Sequence, residues 1–571
     1  MDVNRRTVFG LGVAGASLAA AGLAQGAPQR HAGVDVVGDD DHRYAAAIED
    51  IRAYAALHTA VYGLPGLTLS MVGPEGFTAV LRFGDGDGAL AEADRLYQIG
   101  SISKSFTALC IFRLMEAGKL SLDADVRDLL PGVPLPPGKT SIQNLLNHSS
   151  GLPDNAPLFP RGGDERLWRG FQPGTRWSYS NLGFLMLGMI VERLEGRPLA
   201  DVIHGGILLP LGMNATQGAI LTTDRALYAE GHSALYSDRA YQRAGPFGPG
   251  PWTEMTAGSG CVASTAADMS RYCRWLVAAG QGRGAPILSD AAAARFTKAT
   301  MEAPGWAVAG SKYANGLAVV DVGGRPLLHH TGGMLLFNSA LHVDPLSGVG
   351  AFASTNVGSV PYRPREITAY VCARLRAVVE GGPPPQPSPA PPKPPELGDY
   401  LGRYTGRQGR TLVVSALEQG LSVGFGDAAI RMEPADDEDA FIASRPIDTP
   451  HPLVFRRTGK IVTRAWHGGV EYVRLANGRP VSSFSPPTPP ELQALTGHYV
   501  SDDPWVGSFR VTAQGPALFV DDTAPLVRLP SGGFRVGDKD WSPERVRFDA
   551  PIDGRPQRAI ASGADHVRRS V

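Results

Sequence analysis

The sequence predicts an α+β protein: an antiparallel sheet flanked by helices and interrupted by an α-rich insertion, followed by two small all-β barrels. Three observations lead there. Strand-like alternation stands at both ends of the first 380 residues, near 67–83 and 316–354, with helical periodicity between. A proline tract, Pro383 to Pro395, then breaks the chain. Beyond it the pattern becomes short alternating runs with Gly turns, and a text recurs. Pro394-Pro395-Glu396-Leu397 precedes Gly402 and Tyr404; Pro489-Pro490-Glu491-Leu492 precedes Gly497 and Tyr499 at the same offsets.

The 571 residues exceed one ordinary core. We divide them into a leader (1–27), a main domain (42–380), a linker (381–395) and two barrels (396–485 and 489–571). Lys and Arg number 54 against 55 Asp and Glu, a net charge of −1, which gives no electrostatic case for nucleic acid or an anionic membrane. The four cysteines show no C-x-x-C spacing, so a zinc site built from them is not expected.

In chain order, Asn4-Arg5-Arg6-Thr7-Val8-Phe9 precedes an Ala/Gly/Leu run ending near Leu23, with small residues at Ala24, Gly26 and Ala27. The apolar run, about 16 residues, is shorter than the ~20 a spanning helix wants. It reads as a cleaved export signal of twin-arginine type, hence a periplasmic protein with no membrane span after cleavage. A helix is expected from His42 to Tyr62. Leu67–Val72 and Phe77–Phe83 read as a hairpin around Pro74-Glu75-Gly76. Phe106, Leu109, Cys110, Leu114 and Ala117 recur at helical spacing until Gly118. Helical patches fill 123–288, strands return at 316–322, 327–330, 339–343 and 349–354, and a helix spans 365–379. Each barrel segment has room for about eight short strands.

Chemistry concentrates at the start of the Phe106 helix. Ser101 and Lys104 lie one turn apart, so both face one side. Lys104 is the only lysine with a serine three residues before it. A serine opening a helix beside an amine is a nucleophile with its own base, and the helix N-terminus favours negative charge on a substrate oxygen. For the base to work near neutral pH, the lysine must fall from its ordinary ~10.4, and burial is the expected cause.

Two more segments complete a hydrolytic set. Tyr179 can shuttle a proton and Asn181 can hold Lys104, both in a loop before an apolar helix. A second Tyr-x-Asn, at Tyr313 and Asn315, precedes a strand, where a packing tyrosine is expected. The third segment is Leu328-His329-His330-Thr331-Gly332-Gly333, with His330 and Thr331 on a strand edge and Gly332 allowing close backbone approach. Neighbours on a strand point to opposite faces, so His329 and His330 are not expected to share a metal. No G-x-S-x-G elbow of the α/β-hydrolase kind occurs.

Ser101-Ile102-Ser103-Lys104, Tyr179-Ser180-Asn181 and His330-Thr331-Gly332, in this order, resemble the three signatures of the serine β-lactamase-like superfamily. The tyrosine in the middle motif resembles class C β-lactamases and D-alanyl-D-alanine carboxypeptidases. Leu145 to Leu152, Pro210-Leu211-Gly212-Met213 and Gly260 to Met269 support the likeness, which spans about 45–380. The resemblance implies that Ser101 becomes acylated while Lys104 and Tyr179 move the proton and Asn181 orients. It implies an oxyanion hole from the backbone N–H groups of Ser101 and Gly333, and substrate contacts from His330, Thr331 and Gly332. It implies no metal or organic cofactor, and a small-molecule or peptide substrate. His330 stands where β-lactamases usually carry lysine, which resembles carboxypeptidases and D-aminopeptidases; the tandem barrels resemble D-aminopeptidase accessory domains. The expected function is acyl-serine hydrolysis of D-residue amides or small esters. The alternatives are a β-lactamase and a catalytically silent penicillin- or peptidoglycan-binding module. His148, inside the Leu145–Leu152 text, is read as a loop or packing residue.

Overall fold

The computed structural model describes residues 32–37, 42–84, 95–160, 166–236, 238–239, 247–358, 360, 362–390, 396–426, 428–435 and 437–569. The expected export signal and Pro391–Pro395 lie outside these residues.

Nine strands form the main sheet: β1 (Ala32–Val37), β2 (Gly66–Val72), β3 (Thr78–Gly84), β4 (Met301–Glu302), β5 (Lys312–Tyr313), β6 (Ala318–Asp321), β7 (Pro326–Gly333), β8 (Asn338–Asp344) and β9 (Val349–Thr355). Their spatial order is β1-β3-β2-β9-β8-β7-β6-β5-β4, all antiparallel, so the two ends of the domain meet where β2 pairs with β9. The sequence reading had no strand at β1, a short run just after the leader. Helices α1 (Ala45–Val61) and α5 (Arg365–Glu380, at the end of the main domain) pack on one face through Ile51, Tyr54, Val371 and Leu375. On the other face lie α2 (Ser103–Glu116), α3 (Asn181–Glu195) and α4 (Ala266–Gly280). Because both faces are covered, β2, β8 and β9 are buried at every residue, polar ones included.

Each C-terminal segment closes into an eight-stranded antiparallel barrel. The first strand of barrel one, Gly402–Gly406, pairs with Val470–Ala476; in barrel two, Gly497–Val500 pairs with Ala564–Arg569. The recurring text has a structural counterpart. The hydroxyls of Tyr404 and Tyr499 each donate to the carbonyl four residues back, Tyr400 and Leu495, at 2.8 Å. Arg474 donates to the carbonyls of Asp399 and Leu401; Arg568 donates to those of Ala494 and Thr496. Each pair clasps the first strand to the last.

The barrels rest on the main domain and on each other. Tyr54 donates to the Ser388 carbonyl at 2.8 Å, fixing the linker's start. Arg239 reaches the Pro446 carbonyl of barrel one at 2.9 Å, and Arg510 of barrel two pairs with Asp238 at 3.1 Å. Between barrels, His451 bonds Asp522 at 3.0 Å. No described helix is long and apolar enough to cross a membrane. All four cysteines are free and buried.

Candidate active site

Ser101 does not sit in the first α-helical turn, as the spacing alone predicts, but in a 3-10 turn, Gly100–Ile102, that leads into α2. The cause is the close passage of β7. Gly100 has φ +54°, and a Cβ there would stand 2.7 Å from the Gly333 nitrogen. A Cβ on Gly332 would stand 1.9 Å from the Ile99 carbonyl oxygen. Both glycines are therefore required by contact between strand and turn. β7 is interior as far as His329; beyond it β6 has ended, and the freed edge from His330 to Gly333 faces Ser101. The backbone nitrogen of Gly333 thus lies against the Gly100–Ser101 peptide.

Lys104 is 0% exposed. Its Nζ donates to Ser101 Oγ at 2.9 Å, to Asn181 Oδ1 at 2.6 Å and to the Ser259 carbonyl at 2.9 Å. The Gly260 text therefore delivers an acceptor to the lysine, and Ser103 Oγ pins it by accepting the Val262 N–H at 2.9 Å. Burial pushes the amine down to about 7, partly opposed by the nearby Asp154 carboxylate.

Tyr179 is half-buried; its phenol hydrogen-bonds Ser101, and its ring centroid is 4.8 Å from Lys104 Nζ. Burial raises the phenol well above its ordinary value. Ser180 caps α3 by accepting the Gly183 N–H at 3.1 Å, which places Asn181 at the first helical position. Asn181 is held from behind by Asn155 Oδ1 at 3.0 Å and Asp154 Oδ1 at 2.9 Å.

The loop from His148 to Asn155 carries the tyrosine motif. The Ser178 N–H donates to the His148 carbonyl, and the Leu182 N–H to the Asp154 carbonyl, both at 2.9 Å. His148 holds φ +57°, a conformation uncommon for a side chain of its size, and is fully buried. Its Nδ1 accepts the Ser180 N–H at 3.1 Å, and its Nε2 meets the Tyr313 hydroxyl at 3.2 Å. It is more than packing: it fixes the loop that presents Tyr179.

His330 departs from its expected role. The ring is 0% exposed; Nδ1 bonds the Thr331 carbonyl at 2.6 Å and Nε2 bonds the Tyr313 hydroxyl at 2.8 Å. Neither nitrogen is left for a substrate. Two end groups have fixed roles, because the Ser180 N–H can only donate and the Thr331 carbonyl can only accept. Burial holds both histidines well below their ordinary value. With both rings thus kept neutral, that sets the protons between them: His148 Nε2–H donates to Tyr313, Tyr313 donates to His330 Nε2, and His330 Nδ1–H donates to Thr331. Tyr313 is packed as expected, but its hydroxyl also joins the two motifs.

Thr331 and Gly333 remain half-buried at the cleft. His329 faces the other side of the strand, bonding the Leu341 carbonyl at 2.8 Å and stacking on His342 at 4.0 Å. Sequence reading missed three further residues. Trp306 stacks on Tyr179 with centroids 5.0 Å apart and 12° between planes, walling the cleft. Asp154 backs Asn181. Arg363 brings a guanidinium nitrogen to 2.5 Å from where a Gly333 Cβ would stand. Only Asp154 carried a usable signal, two residues beyond the Leu145–Leu152 text.

A beta-lactamase family model matches residues 39–374. The chain belongs to the beta-lactamase family. Among relatives of this family member, penicillin-binding protein 4 of Amycolatopsis lactamdurans is 30% identical over 298 residues, covering 48% of this chain and 75% of the relative. Esterase EstB of Burkholderia gladioli is 34% identical over 152 residues, 21% of this chain and 38% of that protein. Penicillin-binding protein 4* of Bacillus subtilis is 37% identical over 142 residues, 31% of its length, so the match spans about a third of those two relatives. The octameric penicillin-binding protein homologue from Pyrococcus abyssi shares the fold, with TM-score 0.54 and 22% identity over 75% of this chain and all of that one. As a beta-lactamase family serine hydrolase, the protein has its reactive pair inside the matched segment.

One pH dependence follows. The amine accepts a proton only when neutral, so kcat/KM is expected to rise with pH through about 7, following Lys104. His148 and His330 are already neutral there, and Tyr179 is pushed upward, so neither adds a limb at neutral pH. A pH–rate profile on a small ester checks this; a flat profile from about pH 5 to about pH 9 contradicts it.

Proposed function

We propose that this protein is an exported serine hydrolase that forms an acyl-enzyme on Ser101 and hydrolyses amides of D-amino-acid peptides or small esters. The observation that carries the reading is the amine of Lys104, buried and 2.9 Å from Ser101 Oγ. In the proposed sequence Ser101 Oγ attacks the carbonyl carbon as its proton passes to Lys104. Charge on the carbonyl oxygen is stabilised by the N–H groups of Ser101 and Gly333. Tyr179 hands the proton to the leaving amine or alcohol, the scissile bond breaks, and water then releases the acid from Ser101. Asn181 keeps the amine aligned through its 2.6 Å bond.

Two features favour amides and esters over β-lactams. His330 is neutral and engaged within the protein, so that position offers no ammonium to a β-lactam carboxylate. The Tyr179–Trp306 wall suits an apolar side chain or an aryl ester. A β-lactamase reading is kept by Arg363, whose guanidinium lies beside Gly333 at the cleft and could meet a carboxylate. A penicillin-binding protein and an esterase among the relatives fit either reading.

The test is direct. A fluorophosphonate probe is expected to add its mass to the peptide containing Ser101 and to fail on Ser101→Ala. Label on Ser149 or Ser150 would overturn the assignment. A panel of D- and L-aminoacyl anilides, aryl esters and a chromogenic cephalosporin then ranks the substrates. Cephalosporin turnover comparable with that of the D-anilides would promote the β-lactamase reading.

A further inference from the structure

We propose that Glu544, on the second C-terminal barrel, is a positioning residue for the Ser101–Lys104 pair, acting through Asp154 and Asn181. The inference rests on Ser101 being the nucleophile. Glu544 is 390 residues away from Asp154 in sequence, yet its Oε1 accepts the Asp154 backbone N–H at 2.9 Å. Asp154 Oδ1 accepts the Asn181 N–H at 2.9 Å. Asn181 Oδ1 accepts from Lys104 at 2.6 Å, and Lys104 donates to Ser101 at 2.9 Å. An unbroken line of hydrogen bonds therefore runs from the barrel to the nucleophile.

The barrel loop is seated firmly enough to make that line a constraint. The Trp168 indole donates to the Pro543 carbonyl at 2.6 Å, and Trp541 packs edge-on against Phe171 with centroids 5.4 Å apart. A Cβ on Gly170 would stand 2.0 Å from the Trp541 carbonyl oxygen, so only glycine lets the loop in. Arg545 lies over the Trp168 ring at 5.5 Å. Ser562, next on the same barrel, donates to the other Glu544 oxygen and fixes its rotamer. On the receiving side, Asp154 lies in a stretch with no regular structure, between Leu152 and Leu158. Its backbone there has no helix or strand ladder to hold it. Glu544 supplies the missing acceptor from outside the domain.

Without that acceptor, the stretch carrying Asp154 and Asn155 is held only by its bonds to the start of α3, so Asp154 shifts and the backing of Asn181 shifts with it. Lys104 would then sit slightly off the Ser101 proton. A misplacement of about 1 Å can cost on the order of 100-fold in rate while binding is little changed.

The experiment uses the full chain and measures fluorophosphonate labelling of Ser101 at several probe concentrations. Glu544→Ala is expected to lower the maximal labelling rate by roughly 10- to 100-fold, with the half-saturating concentration unchanged within about 2-fold. Glu544→Gln keeps an amide oxygen for the Asp154 N–H and is expected to restore the rate to within about 3-fold of wild type. Arg510→Ala breaks a different barrel-to-domain contact and is expected to leave the rate unchanged. A wild-type rate in Glu544→Ala would overturn the proposal. An Arg510→Ala loss equal to that of Glu544→Ala would also overturn it, because barrel docking in general would then be responsible. Failure of wild type to label at Ser101 would instead refute the function proposed above.

Discussion

Lys104→Met is expected to abolish acylation of Ser101 while leaving the protein folded. Methionine keeps the length of the buried stem but has no nitrogen to take the serine proton. Loss of a member of a nucleophile–base unit costs on the order of 10³-fold or more. The same change has a stability consequence of opposite sign. In the unfolded chain the amine stays protonated up to its ordinary value; in the folded protein burial holds it down to about 7. Between those two values the unfolded state binds more protons. Lysine therefore makes folding progressively less favourable as pH falls through that interval, and the effect levels off below about 7. The melting temperature of Lys104→Met, relative to wild type, is expected to rise as pH is lowered from about 10 to about 7. Melting curves across that range, together with probe labelling, check both halves. Near-normal turnover would refute the base, and a pH-independent difference would refute the buried neutral amine.

Gly332→Ala is expected to be almost as damaging, for a steric reason. The added methyl would stand 1.9 Å from the Ile99 carbonyl oxygen, less than any real contact. The neighbouring atom is backbone, so relief requires β7 to move away from the turn that carries Ser101. Overpacking of this kind costs typically about 1–3 kcal/mol. The displaced edge carries the Gly333 N–H, so kcat is expected to fall by about 10²- to 10³-fold. Labelling kinetics and a melting curve measure the two effects. Wild-type kcat would mean that strand and turn do not meet so closely in solution.

The site was legible in sequence where its geometry is local. Ser101 and Lys104 are three residues apart on one turn; Tyr179 and Asn181 flank a capping serine. Those spacings are set by helix geometry and by a cap, which short-range sequence records. The strand text gave the right strand for His330 but not the burial of its ring, because burial depends on Tyr313 and on a loop from a different part of the chain. Trp306, Asp154 and Arg363 reach the cleft only through tertiary packing, and no periodicity marks them. For the fold, the sheet built from both ends and the two barrels were readable from alternation, the proline tract and the recurring text. Alternation marks Leu67–Val72 as a strand but says nothing of the helices that cover both of its faces and bury Thr68 and Ser70 too.

The run of bonds through His148, Tyr313 and His330 has a consequence for proton traffic. It terminates at both ends in peptide groups, which neither give up nor take on a proton under ordinary conditions. A wire so terminated can carry no net charge from one side to the other. It is a strut that braces the tyrosine loop against the strand edge, not a conduit.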